Sequence, residues 1–262
     1  MRTEIIGDAT LYCGDSLEVL ASLPPAVAHG IVTDSPYSSG GFTRGDRTAD
    51  TGSKYQSSGL EKLFANFAGD NRDQRAYSYW SALWLGQALR ITQEGAMLCT
   101  FTDWRQLPST TDAVQAGGWV WRGIAVWDKL NGRPMPNRFR QSAEFIVWAT
   151  NGAKDFDTKG ASYHDGVFSI PSPPTVDREH STQKPVVLLD KLVQVVQPGE
   201  TVVDPFMGSG TTGVSCMNTG RKFIGIEITE HFFDVSCKRI EEAYRNRPRL
   251  FDPETEHPTL DL

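Results

Sequence analysis

Two short stretches of this chain gather residues that could do chemistry, each at the exit of an apolar run. The first is Val32-Thr33-Asp34-Ser35-Pro36-Tyr37. Turn formation alone favours Asp, Ser and Pro at such a place, but the same residues suit activation of an amino group on an aromatic ring. Such a nitrogen has its lone pair delocalised into the ring and is a poor nucleophile. The Asp34 carboxylate and the Ser35 backbone carbonyl, accepting both amino hydrogens, would restore density to it. Tyr37 could stack on the ring.

The second stretch is Thr201-Val202-Val203-Asp204-Pro205-Phe206-Met207-Gly208-Ser209-Gly210-Thr211-Thr212. An apolar strand ends at a carboxylate, turns through two glycines and enters a helix. Gly208 and Gly210 permit a tight turn and close approach of a ligand. The helix start favours a ligand carboxylate, and Asp204 can counter a positive ligand group. The next apolar run, Lys222–Ile226, ends at Glu227, the place from which an acid reaches ribose hydroxyls in a βαβ nucleotide site. The pairing points to a nucleotide-like ligand and leaves NAD and S-adenosylmethionine both open.

These motifs need a scaffold that holds strand ends together. Apolar runs alternate with amphipathic helical patterns, as in an open α/β sheet. Strands are predicted at Thr10–Cys13, Gly30–Thr33, Ala96–Phe101, Gly118–Trp127, Glu144–Ala149, Thr201–Val203 and Lys222–Ile226. Helices are predicted at Ser16–Ala21, Gln74–Ile91, Arg105–Ala116, Pro185–Val196, Thr211–Asn218 and Glu230–Arg245. The aromatic residues Tyr77, Tyr79, Trp80 and Trp84 on one helix are expected in core or interface packing, and Trp119, Trp121 and Trp127 on one strand in the core. His29, His164 and His231 read as structural. Two stretches interrupt the alternation: Ser38–Arg72, polar and glycine-rich, and Asn151–Gln183, with Pro171, Pro173 and Pro174. Loops of this length are mostly functional or mobile.

The chain has 262 residues, 39% of them hydrophobic, which suits one sizeable domain spanning 1–262. No run approaches a membrane helix and no signal-peptide pattern opens the chain. Cys13, Cys99, Cys216 and Cys237 lack metal-ligand spacing, so neither structural zinc nor a disulfide framework is expected, and a cytoplasmic location is. The net charge of −6 opposes a nucleic-acid partner in bulk. Its distribution does not: Arg122, Lys129, Arg133, Arg138 and Arg140 stand against the single acid Asp128 in segment 122–140.

With these residues in view, the chain resembles the amino-group DNA methyltransferases, whose signatures are an Asp/Asn/Ser-Pro-Pro-Tyr/Phe tetrapeptide and a Phe-x-Gly-x-Gly loop. Catalytic motif first and cofactor loop last is similar to the circularly permuted β class. Cys13-Gly14-Asp15-Ser16 resembles the segment on the cofactor adenine. Gly123–Lys129 and Glu144–Trp148 resemble the paired strands before the target-recognition region, and His180-Ser181-Thr182-Gln183-Lys184-Pro185 resembles the element before the cofactor loop. The matches run from about Leu11 to Arg239. Two residues depart from the pattern: Ser35 and Ser181 each stand where the family has proline. A carbonyl acceptor survives at Ser35, but the loop loses the fixed φ of proline. His180 reads as a loop-orienting hydrogen bonder.

The resemblance implies a Rossmann-like α/β fold with a mostly parallel seven-stranded sheet. It implies S-adenosylmethionine as cofactor, held by Asp15, Lys184, Asp204, Phe206, Gly208, Ser209, Gly210, Thr211 and Glu227. Asp34, Ser35, Pro36 and Tyr37 would form the catalytic tetrapeptide, with no metal, because a sulfonium already activates its methyl group. Asp in the first position accompanies adenine N6 in this family, so site-specific methylation of adenine in double-stranded DNA is expected, as in restriction–modification; cytosine N4 is the alternative. Cytosine C5 chemistry needs a Pro-Cys pair, and Tyr12, Leu98, Ser215 and Ser236 precede the cysteines. A lapsed enzyme that binds DNA without turnover is the reading that Ser35 and the acidic charge support. Residues 151–180 would be the target-recognition insert, 38–72 a mobile active-site loop, and Arg133, Arg138 and Arg140 phosphate contacts. The family also admits a homodimer, which nothing in the sequence itself specifies.

Overall fold

A computed structural model describes residues 1–37, 72–132, 134, 136–154, 163–173 and 183–247. Within it lie strands β1 (Arg2–Ile6), β2 (Ala9–Cys13), β3 (Ala28–Thr33), β4 (Thr92–Thr102), β5 (Val120–Asp128), β6 (Ala143–Thr150), β7 (Val167–Ser169), β8 (Thr201–Asp204) and β9 (Lys222–Glu227). The helices are α1 (Ser16–Ser22), α2 (Gln74–Ile91), α3 (Leu107–Ala116), α4 (Val186–Leu192), α5 (Thr211–Asn218) and α6 (Glu230–Asn246).

All strands join one sheet in the order β1-β2-β9-β8-β3-β4-β6-β5-β7. Pairing is parallel from β2 through β4 and antiparallel where β6 lies between β4 and β5. The seven expected strands are present, but the sheet has nine among the described residues, which corrects the count. The additional β1 pairs antiparallel with β2 across a turn at Gly7 (φ +54°). It carries Arg2 and Glu4 and leaves Ile5 exposed, so it shows no buried alternation. The additional β7 is three residues long and pairs parallel with β5. It falls in the stretch expected as an insert, and it is too short to show a period.

Strand side chains alternate between faces, and both faces are covered. Val32, Cys99, Val202 and Phe223 pack on one side with Leu188 of α4, Cys216 of α5 and Phe233 of α6. Ile31, Leu98, Val203 and Ile226 pack on the other with Val19 of α1, Trp84 of α2 and Val114 of α3. Double burial is why these strands read as continuous apolar runs. Trp119 and Trp127 are buried, yet in opposite clusters, while Trp121 is exposed. A register shift between Trp121 and Gly123 breaks the alternation that the sequence suggested. On α2, Tyr77 and Trp84 are core residues and Tyr79 is exposed.

The order places β3 beside β8, so two motifs 170 positions apart in sequence leave the sheet at the same edge, on neighbouring parallel strands. This is where open α/β sheets form ligand crevices. Helix α1, which starts at that edge, is fixed at its far end by Arg90. The Arg90 guanidinium donates to the carbonyls of Leu20 (2.6 Å), Leu23 (3.0 Å) and Ala21 (3.3 Å), which a helix end leaves unpaired. Arg90→Ala is expected to lower unfolding stability by about 1.5–3 kcal/mol, the worth of charge-assisted bonds; a urea denaturation curve that coincides with wild type would contradict that role.

Candidate active site

A single cleft at this edge is lined by residues of both motifs: Gly14, Asp15, Thr33 to Tyr37, Lys184, Asp204 to Ser209, Thr211 and Glu227. Asp204 joins the halves. Its Oδ1 accepts from Thr33 Oγ1 (2.7 Å) and from the Phe206 amide (3.0 Å), and its Oδ2 accepts from Thr212 Oγ1 (2.7 Å). The carboxylate that the sequence assigned to countering a ligand charge is therefore committed to protein donors on both oxygens. Burial pushes its carboxyl up to about 6, against the hydrogen bonds from Thr212 and Thr33.

Asp34 follows Thr33 directly. Its Oδ2 accepts from Lys184 Nζ at 2.5 Å, and its Oδ1 has no hydrogen-bond partner among the described residues. Lys184 also lies 3.3 Å from Glu144 Oε2, and Glu144 in turn pairs with Lys129. Two lysines and two carboxylates thus alternate in one chain from β5 to the catalytic loop. Lys184, expected on the cofactor, has its ammonium on Asp34 and Glu144. Lys129, counted with the basic surface, is inside this network. Burial raises the Asp34 carboxyl; Lys184 opposes that rise and Glu144 adds to it. Glu144 is held below the usual carboxylate value because its two lysines outweigh burial. Burial disfavours the Lys184 cation, but the two carboxylates raise its pKa. The result is an acceptor whose free oxygen is more basic than that of an ordinary aspartate.

Ser35 is 1% exposed and sits beside the Tyr77 hydroxyl, which also bonds Thr110 Oγ1 at 3.0 Å. Ser35, standing where the family has proline, is thus buried, with its hydroxyl oxygen unpartnered among the described residues. Tyr37 is buried, and Lys184 Nζ stands 6.0 Å from its ring centroid and 5.1 Å from that of Phe101.

The glycine loop runs Met207 to Thr211. Gly208 has φ +51° and Gly210 φ +81°, conformations that L side chains adopt at a cost. A Cβ on Gly210 would strike Ser236 at 2.8 Å, whereas one on Gly208 would enter open space. Gly210 thus serves packing, and Gly208 leaves the cleft open to a close ligand. Glu227 Oε2 accepts from the Gly208 amide (3.1 Å) and Oε1 from the Thr229 amide (2.8 Å). Asp15 caps α1 by accepting from the Leu17 amide (2.8 Å). Cys13 and Glu227 are register partners, so these two acids face the same end of the cleft.

Other lining residues carry no motif. Trp80 packs on Phe206, ring centroids 5.3 Å apart, and the Arg72 guanidinium lies 4.1 Å above Trp80. Trp80 was expected in core or interface packing; it packs against the core and also walls the cleft. Arg239 Nη1 donates to the Ser209 carbonyl (2.6 Å) and hydroxyl (3.0 Å), bracing the loop from α6. Glu144, Trp80 and Arg239 are the functional positions that the motifs did not flag. Arg138 and Arg140 are exposed on the β5–β6 connection. Arg133, His180, Ser181, residues 38–71 of the expected active-site loop, and 155–162 and 174–180 of the expected insert lie outside the described residues.

Residues 28–238 match the N6/N4 DNA methylase family. The chain belongs to this family. It is 28% identical over 271 residues to the type II methyltransferase M.HinfI of Haemophilus influenzae, covering 94% of this chain and 72% of that one. The fold of this methylase is shared with the crystal structure of an M1.HpyAVI–SAM complex (TM-score 0.63, 23% identity, 88% of this chain and 98% of that one). It is likewise shared with the cytosine-N4-specific PvuII DNA methyltransferase (TM-score 0.65, 18% identity, 95% and 94%). Among the described residues, no helix is long and apolar enough to cross a membrane.

The Asp204 junction gives the methylase a definite pH signature. A carboxyl whose folded pKa is raised favours the folded state most below its unfolded value near 3.8, and that advantage is lost as pH rises through about 6. Asp204→Asn keeps an oxygen for Thr33 and Phe206 and removes the buried charge. Urea unfolding at pH 4 and pH 7 should show the wild type losing, relative to Asp204→Asn, up to about 3 kcal/mol over that interval. A constant difference between the two proteins would contradict the assignment.

Proposed function

We propose that this methylase transfers a methyl group from S-adenosylmethionine to N6 of adenine in duplex DNA. The observation that carries the reading is the buried, unpartnered Oδ1 of Asp34, a residue that lines the same cleft as the open Gly208 turn and is tied to that turn through the Thr33–Asp204 hydrogen bond. When bound by Glu227, Phe206 and the Gly208 turn, the cofactor would supply a methyl group activated on a sulfonium, leaving as the neutral thioether once that methyl is on nitrogen.

The chain's residues fit that cofactor and that base. Glu227 retains lone pairs for ribose hydroxyls beside its two amide contacts, Phe206 and Trp80 form an apolar wall, and Gly208 lets the backbone approach. A base flipped from the duplex stacks on Tyr37 and offers its amino hydrogens to Asp34 Oδ1 and the Ser35 carbonyl. Lys184 keeps Asp34 ionised and fixes its second oxygen, so the free oxygen points at the nitrogen as positive charge develops there. The nitrogen then loses one proton, for which Asp34 is the nearest base. No covalent enzyme intermediate is needed. Aspartate at position 34 supports adenine over cytosine, as the family pattern associates the two.

Long-read sequencing of DNA from a methylation-deficient host that expresses the chain tests base and target together. N6-methyladenine at one recurring sequence is the expected result. N4-methylcytosine would overturn the base assignment, and unmodified DNA would favour a protein that binds without turnover. The same assay on Glu227→Ala should show reduced methylation at the unchanged sequence, since loss of the ribose acceptor costs about 1.5–3 kcal/mol of cofactor binding.

A further inference from the structure

The connection between β5 and β6 begins and ends in the catalytic charge network. Lys129 and Glu144 pair with each other at its base, the Lys129 amide donates to the Ser142 carbonyl (2.8 Å), and Asn131 exchanges hydrogen bonds with the Ser172 backbone (3.2 and 3.3 Å). From that anchored base the chain carries Phe139, 97% exposed, the most exposed large apolar side chain among the described residues. Arg138 and Arg140 flank it, and residues 136–141 are all exposed. From Lys129 to Ser142 the sequence holds four basic residues and no acid, in a chain of net charge −6. Leu130 (φ +57°) and Asn137 (φ +54°) take left-handed backbone conformations, unusual for a leucine. Such geometry persists where surrounding structure imposes it. Phe139 lies five positions from Glu144, a reach of at most about 17 Å, or about five base-pair steps.

An exposed aromatic side chain flanked in sequence by two arginines, on a connection anchored to the charge network that holds Asp34, fits one occupant. We propose that Phe139 wedges into the DNA stack at the gap the extruded base leaves, while Arg138 and Arg140 hold the neighbouring phosphates. This deepens the reading above and rests on it. A wedge offsets the unstacking that extrusion costs, and arginines on phosphates fix its register without reading sequence.

The test compares wild type, Phe139→Ala and Phe139→Trp in single-turnover methylation of two duplexes holding the mapped target. One is fully paired; in the other, the target base lies opposite an abasic position, so no base pair has to break. Phe139→Ala should be ~10-fold or more slower on the paired duplex, as loss of over about 1.4 kcal/mol implies. It should be near wild type on the abasic duplex, and Phe139→Trp should restore most of the paired rate. Wild-type rate on the paired duplex, or equal loss on both duplexes, would overturn the wedge. So would a change from dimer to monomer in sedimentation velocity, which would make Phe139 a subunit contact. Failure of the wild type on both duplexes would instead remove the methyltransferase reading on which the wedge depends.

Discussion

A carboxylate taken out of water must find donors for its oxygens, and Asp204 finds them on three different segments: Thr33 at the end of β3, the Phe206 amide in the glycine loop, and Thr212 in α5. Of these donors, Thr33 alone comes from β3 and so ties that strand to β8. Because Asp34 follows Thr33 and Phe206 precedes the glycine loop, the bonds that satisfy Asp204 also tie Asp34 to the glycine turn. An aspartate at this place is costly to ionise, and that cost is the reason for its strict geometry. Sheet order supplies the rest: β8 enters between β3 and β9, so late-chain and early-chain motifs share an edge.

The second constraint is electrical. Asp34, Lys184, Glu144 and Lys129 alternate in sign, and each buried charge faces an opposite one. Buried pairs contribute little net stability; what this one provides is orientation. Lys184 occupies one oxygen of Asp34, and the other has no partner among the described residues. Glu144 shares the Lys184 charge and so adds to the rise of the Asp34 carboxyl, which Lys184 opposes. The network also ties the catalytic loop to the β5–β6 connection, and so couples the chemistry to the surface proposed to hold DNA.

Much of this was legible in the sequence, because both motifs lie at strand ends where type and spacing are tightly constrained. Asp34, Gly208 and Glu227 line the cleft that their motifs pointed to, Gly210 serves packing instead, and the seven expected strands were visible as apolar runs. What escaped was long-range or low in pattern. The charged edge strand β1 and the three-residue β7 carry no buried period. Glu144 is an ordinary strand acid until the fold brings Lys184 beside it, 40 positions on. Trp80 sits on a helix among core aromatics, and only the packing of Phe206 distinguishes it. Asp204 and Lys184 were recognised as site residues, but their partners could not be read without the fold, and the partners decide what they do.

The account stands or falls on Asp34 acting through its free oxygen and not through cofactor binding. Single-turnover methyl transfer by Asp34→Ala, with S-adenosylmethionine affinity measured by calorimetry on the same preparation, separates the two. The expected result is a rate lower by ~10²–10³, as for loss of a preorganised hydrogen bond at developing charge, with affinity for the cofactor retained. Methylation at the wild-type rate, or a loss explained wholly by weakened cofactor binding, would contradict it.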